Sequence, residues 1–350
     1  MSMVEQRYRD LVVRAASPEE QAAIAALREA SPDGGAVGFR VHSHVEDGAP
    51  EPSVHRTSLD VVAEVPGAGL VGAARISTGM LQVRHQTRPY ALLSALVVHP
   101  AHRRRGVASA LAHWRIEHAA EVAGAGAVVL ANVQRGNAGS LANAGRWADG
   151  WTGVAVTAPL TMLTRRPRPP WFVVRDATVA DAAAVASGHA AFTADHAFAH
   201  HWTAGSLAEW FAATPVNGYR VATNRHGTVV AGMAVREEAL LRSMEVTRLP
   251  AGIAVANLVL KAIPPDRVLR NVVVDHLWFA PGHDAAAADL VQQTRWEWRD
   301  RGTHLLVTLD RRSPALPTLG LRPWSPTTAT TTAVRAEPPL ALDGPVEPIL

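Results

Sequence analysis

The chain is written twice. Leu11-Val12-Val13-Arg14-Ala15-Ala16-Ser17-Pro18-Glu19-Glu20 returns in altered form as Phe172-Val173-Val174-Arg175-Asp176-Ala177-Thr178-Val179-Ala180-Asp181, with Val12 and Val173 161 positions apart. In each copy a short β-favouring run meets a Ser or Thr able to cap a helix. Acidic residues follow where the first turn lies, the end of a helix that carries unpaired N–H groups. A second pair of segments agrees. Ser94-Ala95-Leu96-Val97-Val98-His99-Pro100-Ala101-His102 matches Asp275-His276-Leu277-Trp278-Phe279-Ala280-Pro281-Gly282-His283, and each leads into a helical pattern, a Gly and a strand, at 127–131 and 304–309. Repeats of this size are duplicated domains and not solenoid units. A chain of 350 residues has room for two domains of ordinary size.

Boundaries follow from composition. Arg165-Arg166-Pro167-Arg168-Pro169-Pro170 reads as a stiff, extended linker. The reading is therefore a first domain over 1–165, a linker over 166–170, a second domain over 171–335 and a tail over 336–350. Residues 327–335, rich in Thr and holding Val334, read as a last strand, since Thr and Val favour one, and the chain from Pro338 onward as a loose tail. Within the first copy the order is a strand at 12–14, a helix over 17–30, and a long polar connection over 31–55. A hairpin (59–65 and 70–77), a central strand (91–98), a helix (106–121) and a strand (127–131) follow.

Composition excludes several function classes. Hydrophobic residues make up 48% of the chain, enough for a core without metal or cross-links, and there is no cysteine. Disulfide frameworks, Cys-zinc sites and Cys nucleophiles are ruled out, and a cytoplasmic, reducing compartment is expected. No signal peptide opens the chain and no run of about 18 apolar residues exists, so no membrane partner is expected. The formal charge is +3 and Lys261 is the only lysine, which argues against a general nucleic-acid binder.

The chemistry concentrates in one segment, Ser94 to Leu111. An apolar strand ends at His99-Pro100, three arginines follow (Arg103, Arg104, Arg105), then Gly106, Val107 and Ala108 open a helix. A helix N-terminus attracts phosphate, a glycine allows close approach, and arginines add charge-assisted hydrogen bonds. The pattern Arg103-x-x-Gly106-x-Ala108 resembles the acetyl-CoA pyrophosphate loop of the GNAT N-acetyltransferase superfamily. Asn137 and Ser140, in the stretch after the next strand, are similar to that family's Asn-x-x-Ser motif. The duplicated layout looks most like the tandem type seen in plant HOOKLESS1-like N-acetyltransferases, with mycothiol synthase as a second tandem comparison.

The resemblance implies an α/β (α+β) chain of tandem GNAT (acyl-CoA N-acyltransferase) folds, each a mixed, mostly antiparallel sheet flanked by helices. It implies acetyl-CoA as co-substrate, no metal, and transfer to a primary amine of a small molecule or peptide by direct attack in a ternary complex. It assigns the backbone of Leu96, Val97 and Val98 to the pantetheine arm, Arg103, Arg104, Arg105, Gly106, Val107 and Ala108 to the pyrophosphate, and Asn137 and Ser140 to the cofactor's flank. The sequence departs from the family where a Glu is frequent on the central strand and a Tyr after the Asn motif. Ser94, His99 and Tyr90 are weak catalytic candidates, with His42, His44 and His85 behind them. These departures keep open a non-catalytic acyl-CoA-binding or interaction protein. A homodimer is also open.

The second copy replaces the basic loop with Asp284-Ala285-Ala286-Ala287-Ala288-Asp289. Carboxylates repel a pyrophosphate, so this copy is expected to keep the fold without the cofactor site. Its jobs would be packing, shaping an acceptor pocket or dimerisation. His196 and His200, one turn apart if helical, lack a zincin Glu and read as interface or cap residues.

Overall fold

The computed structural model describes residues 8, 10–31, 38–44, 55–84, 86–213, 216–260 and 262–349. The first copy comprises β1 (Val12–Ala15), α1 (Gln21–Glu29), β2 (Gly38–Ser43), β3 (Thr57–Val65), β4 (Gly69–Val83), β5 (Gln86–Val98), α2 (Val107–Glu117), α3 (Ala119–Ala123), β6 (Val128–Gln134), α4 (Ala138–Ala144), β7 (Gly150–Trp151) and β8 (Ala155–Thr161). The second comprises β9 (Val173–Asp176), α5 (Ala182–Phe192), β10 (Ala199–His200), α6 (Ala204–Ala212), β11 (Asn217–Thr223), β12 (Val229–Arg236), β13 (Arg242–Arg248), α7 (Ala251–Leu260), β14 (Val268–Leu269), β15 (Asn271–Phe279), α8 (Asp284–Glu297), β16 (His304–Asp310) and β17 (Thr328–Arg335). Among the described residues no helix is long and apolar enough to cross a membrane.

The repeat seen in the sequence is a repeat in space. Arg14 reaches Glu20 with both guanidinium nitrogens (2.7 and 2.8 Å), and Arg175 does the same to Asp181 (2.8 and 2.8 Å). Each acid also accepts from the backbone N–H of its Ser17 or Thr178, closing a capping box that starts the helix after the strand. The strands lie in the order β1-β3-β4-β5-β6-β17-β8-β16-β15-β12-β11-β9. Under the pairing of equivalent strands this order reads the same from both ends. Among the described residues β5–β6 and β15–β16 are the parallel ladders, a single parallel bridge joins Phe198 to Val346, and the other ladders are antiparallel.

The middle of that order holds an exchange. β17, from the end of the second copy, pairs with β6 over Thr330–Arg335, and β8, from the end of the first, pairs with β16 along its whole length. β8 and β17 meet each other only at Ala155–Thr157. Pro159, with no N–H to give, sits beyond that short contact, where the loss is tolerated. Ala158 and Leu160 are therefore buried in the core of the second copy, and Val334 in that of the first. Threonines stitch the seam: Thr157 to Thr308 at 2.9 Å, and Thr332 to Asn132 at 2.7 Å. A small second sheet, β14-β13-β2, adds another link, since β2 arises in the long connection of the first copy and β13 in the second.

Two sequence expectations change. The helix expected over 106–121 breaks at His118 into α2 and α3. The tail is not loose. Val346 and Ile349 are 2% exposed, packing with Leu81, Tyr90, Leu92 and Leu130 on the sheet face opposite α2. The segment is held by Val346 N–H to Asp310 (3.1 Å) and Glu347 N–H to the Phe198 carbonyl (3.0 Å). Its prolines suggest a linker, but Leu340, Leu342, Val346 and Ile349 are enough to seat it as a strap.

Candidate functional site

β5 and β6 start side by side and then part. Their parallel ladder runs only from Tyr90↔Val128 to Leu92↔Leu130. Past Leu92, β6 keeps its partner β17 on the far side, while among the described residues no strand lies beside the β6-facing edge of residues 93–98. Such an edge is a row of backbone groups that a bound chain can satisfy. At the same place β5 bulges: Arg75 faces Ser94 but Ala73 faces Val97, and Ala95 takes φ 51°. A non-glycine residue there is strained by roughly 1–3 kcal/mol and persists only if its surroundings hold it.

Arg115 holds it. The α2 positions Val107, Leu111 and Arg115 share one helix face, so periodicity alone drives this guanidinium into the core, where it is 2% exposed. Its Nε donates to the Leu111 carbonyl (3.0 Å), and one terminal nitrogen donates to the carbonyls of Arg75 (3.2 Å) and Ser94 (3.3 Å), the pair that opens the bulge. Burial pushes its pKa down to about 10, so it stays a cation at neutral pH. Among the described residues no carboxylate lies within ion-pair distance of it.

Beyond β5 the chain turns through His99–His102 into the basic loop. His99 caps that turn, its Nδ1 accepting from the Ala101 N–H at 3.3 Å. Arg103 folds back, donating to the Val98 carbonyl at 3.1 Å. Arg105 lies over the Tyr8 ring, 5.4 Å from its centre, and donates to the Tyr8 hydroxyl at 2.8 Å. That hydroxyl is in turn 2.5 Å from His102 Nδ1. Burial, then the neighbouring His99 and Arg105, lower the pKa of His102 and favour its neutral ring. Arg104 is exposed, with no side-chain hydrogen bond to the described residues. Arg104 and Gly106 both take positive φ (62° and 84°), and Gly106 is the N-cap of α2 with no side chain over the helix end. Left-handed residues at the mouth of a helix turn N–H groups into an anion-binding concavity, and the first-turn N–H groups of α2 have no partner within the helix. Gly72 lets α2 sit close to β4: a Cβ there would stand 2.7 Å from Val107.

The remaining expected residues fall as follows. Leu96, Val97 and Val98 lie on β5 past the bulge, along the open edge. Asn137 caps α4, accepting from the Ser140 N–H at 3.0 Å. Asn143 ties α4 to α2, accepting from the Ser109 hydroxyl at 3.3 Å. Ser94 is half-buried beside the bulge, and its carbonyl is the one Arg115 holds. Tyr90 is fully buried on the still-paired part of β5, 2.8 Å from His55, and burial raises its pKa. His42 and His44 pair with Glu245 and Ser243 of β13, each at 3.0 Å. His85 lies outside the described residues. Arg115 was missed by motif reading, although a lone arginine at the core-facing step of an apolar helix is a signal. His196 and His200 are not on a helix: His196 lies in the turn after α5, its N–H donating to the Thr193 carbonyl at 2.9 Å, Ala199–His200 pairs with β4, and both residues are buried.

The second copy repeats the frame without the cradle. The β15–β16 ladder stops at Val274↔Val307, and His276 occupies a bulge with φ 57°, the counterpart of Ala95. α8, however, opens on Asp284, and the chain just past the linker covers its flank: Asp289 accepts from the N–H groups of Trp171 (2.7 Å) and Phe172 (3.4 Å).

Residues 37–146 match the family described as acetyltransferase (GNAT) family, and the fold across the length of the chain is a tandem GNAT-like one. Among solved structures, N-myristoyltransferase of Saccharomyces cerevisiae with bound myristoyl-CoA is similar over 94% of this chain and 84% of its own, with a TM-score of 0.61 at 10% identity. A GCN5-related N-acetyltransferase from Sphaerobacter thermophilus is similar over 94% and 96%, with a TM-score of 0.57 at 14% identity. One from Kribbella flavida is similar over 92% and 70%, with a TM-score of 0.50 at 17% identity. At these identities the likeness is one of fold. No curated relative matches the chain in sequence.

Proposed function

We propose that the protein is an N-acetyltransferase that moves acetyl from acetyl-CoA to a primary amine of a small molecule or peptide, by direct attack in a ternary complex at the first copy. The observation that carries this reading is the continuous path from the Ala95 bulge, along the open edge of β5, to the loop over Arg103–Ala108. The loop and the start of α2 would hold the pyrophosphate, and Leu96–Val98 the pantetheine through backbone hydrogen bonds. A backbone N–H beside the bulge would polarise the thioester carbonyl, with Arg115 fixing its position from below. The rate then comes chiefly from holding amine and thioester in attack geometry. With no carboxylate on β5, the amine proton leaves through water near Ser94.

A second reading is supported by the same structure. Tyr90 is engaged with His55 in the core and His99 caps its own turn, so two of the three catalytic candidates have structural employment. That favours acyl-CoA binding without turnover. Calorimetric titration with acetyl-CoA, followed by single-turnover assays with an amine panel, separates the two. One-site micromolar binding with amine-dependent release of CoA supports the transferase; binding with no release for any amine supports the second reading. Titration with longer acyl-CoA thioesters beside acetyl-CoA tests the acyl preference, and no binding of any thioester overturns both readings.

A further inference from the structure

Having lost the cradle, the second copy carries a different constellation at its bulge. We propose that His189, His276 and Glu347 form a site for one divalent transition-metal cation, with the chemistry of Zn2+. One ligand atom from each of the three residues lies within 4.8 Å of the others. Glu347 Oε1 is 2.8 Å from His189 Nε2 and 2.9 Å from His276 Nδ1. All three residues are at least nine-tenths buried, at 1%, 6% and 9% exposure. Two imidazoles and a carboxylate are a ligand set that zinc and its neighbours take.

His276 is what a hydrogen-bonded core does not explain. Its Nε2 has no hydrogen-bond partner among the described residues, and its Nδ1 faces only Glu347, at 2.9 Å. Buried polar atoms left in this state call for an occupant. The residue also sits at φ 57°, a strained backbone that sets its ring off the regular strand direction. Around the three ligands the surroundings are built. The second carboxylate oxygen of Glu347 accepts the His200 backbone N–H at 2.7 Å, which fixes the carboxylate as outer partners of metal ligands do. The His200 ring lies 4.9 Å from that of His276, and its Nδ1 has no partner either. A cavity of about 10 Å³, room for roughly one water as a fourth ligand, borders His276, Glu347, Thr308 and Asp310. Tetrahedral bonds to Zn2+ place neighbouring donors roughly 3.3 Å apart, so the Glu347 carboxylate would draw back from each imidazole by a few tenths of an ångström, while the two imidazole nitrogens already lie within 4.8 Å of each other.

The three ligands come from α5, the β15 bulge and the strap, which are far apart in sequence. A cation there would pin the strap that covers the apolar face of the first copy, using the duplicated position that corresponds to Ala95.

The test uses tag-free, full-length protein stripped with a chelator and titrated with Zn2+ against a chromophoric competitor. One equivalent should bind, and His189→Ala and His276→Ala should each weaken it by more than about 100-fold, beyond the effect of losing an outer partner. His113→Ala, on the exposed side of α2, should change nothing. Since a core histidine variant can fail to fold, Glu347→Gln keeps the shape, and Zn2+ should raise the melting temperature of the wild type but not of this variant. X-ray absorption of the wild-type complex should show two imidazole shells and one oxygen ligand. Absence of an equivalent, binding untouched by the substitutions, or a shell without imidazole would each overturn the site and leave a buried His–Glu–His ion pair.

Discussion

The two copies share a frame and differ at its mouth. Both begin with an arginine clamped on the acid of a capping box, both splay their parallel pair, and both bulge on a non-glycine residue of positive φ, Ala95 or His276. In the first copy the bulge residue is small, a buried arginine holds the carbonyls beneath it, and the strand runs into exposed arginines and a glycine-capped helix. In the second the bulge residue is a histidine facing Glu347, and the helix opens on a carboxylate. The two copies thus agree in what the sheet needs to fold and differ in the loop between the central strand and its helix.

The largest test of that comparison concerns the exchange. Residues 1–165 expressed alone would leave β6 without β17 and lack the strap over Leu81, Leu92 and Leu130. The expected outcome is insoluble or non-cooperatively melting protein, recovered by co-expression with residues 166–350. A soluble 1–165 with a sharp melt would show that the copies are independent after all. Next comes Gly106→Asp, which puts a charge and a Cβ at φ 84° in the loop; acyl-CoA affinity should fall by more than about 100-fold, or about 2.7 kcal/mol, at an unchanged stoichiometry of folded protein. Its counterpart Asp289→Ala should leave the isotherm with one site of the same affinity, and a second site would show that the second copy still binds. Arg115→Met should cost about 2–4 kcal/mol in denaturant unfolding by leaving the Arg75 and Ser94 carbonyls unpaired, and should lower kcat roughly tenfold with Arg115→Lys partly restoring it. A stability loss with unaltered kcat would assign Arg115 to folding alone.

The smallest effect tests the shared clamp. The Arg14 hydrogen bonds and the Ser17 N–H bring Glu20 down to about 2. A depressed carboxylate stabilises the fold above its unfolded pKa and loses that contribution as pH falls through the folded one. Glu20→Gln should therefore cost about 1 kcal/mol at pH 7, a difference that closes between roughly pH 4.5 and pH 2. A difference independent of pH would mean that the hydrogen-bonded shape matters and the charge does not.

The sequence by itself determined the duplication, the strand–helix order of each copy and the basic loop, because these rest on local signals. Capping residues, β-favouring runs and a glycine before a helix act over a few positions; both copies carry the first two in the same order, and the first alone carries the glycine N-cap. It also determined that the second loop is acidic. The tertiary structure alone decided where each copy's last strand lies, since the local β-favouring pattern of β8 and β17 does not say which parallel pair each one extends. It decided that the segment after Pro338 is a strap, because a few apolar residues among prolines fold only against a surface that the rest of the chain supplies. It decided the company of Arg115 and of His189, His276 and Glu347, whose partners lie up to 158 residues away. Buried charge and buried imidazole take their meaning from what surrounds them, and that is fixed only when distant segments close.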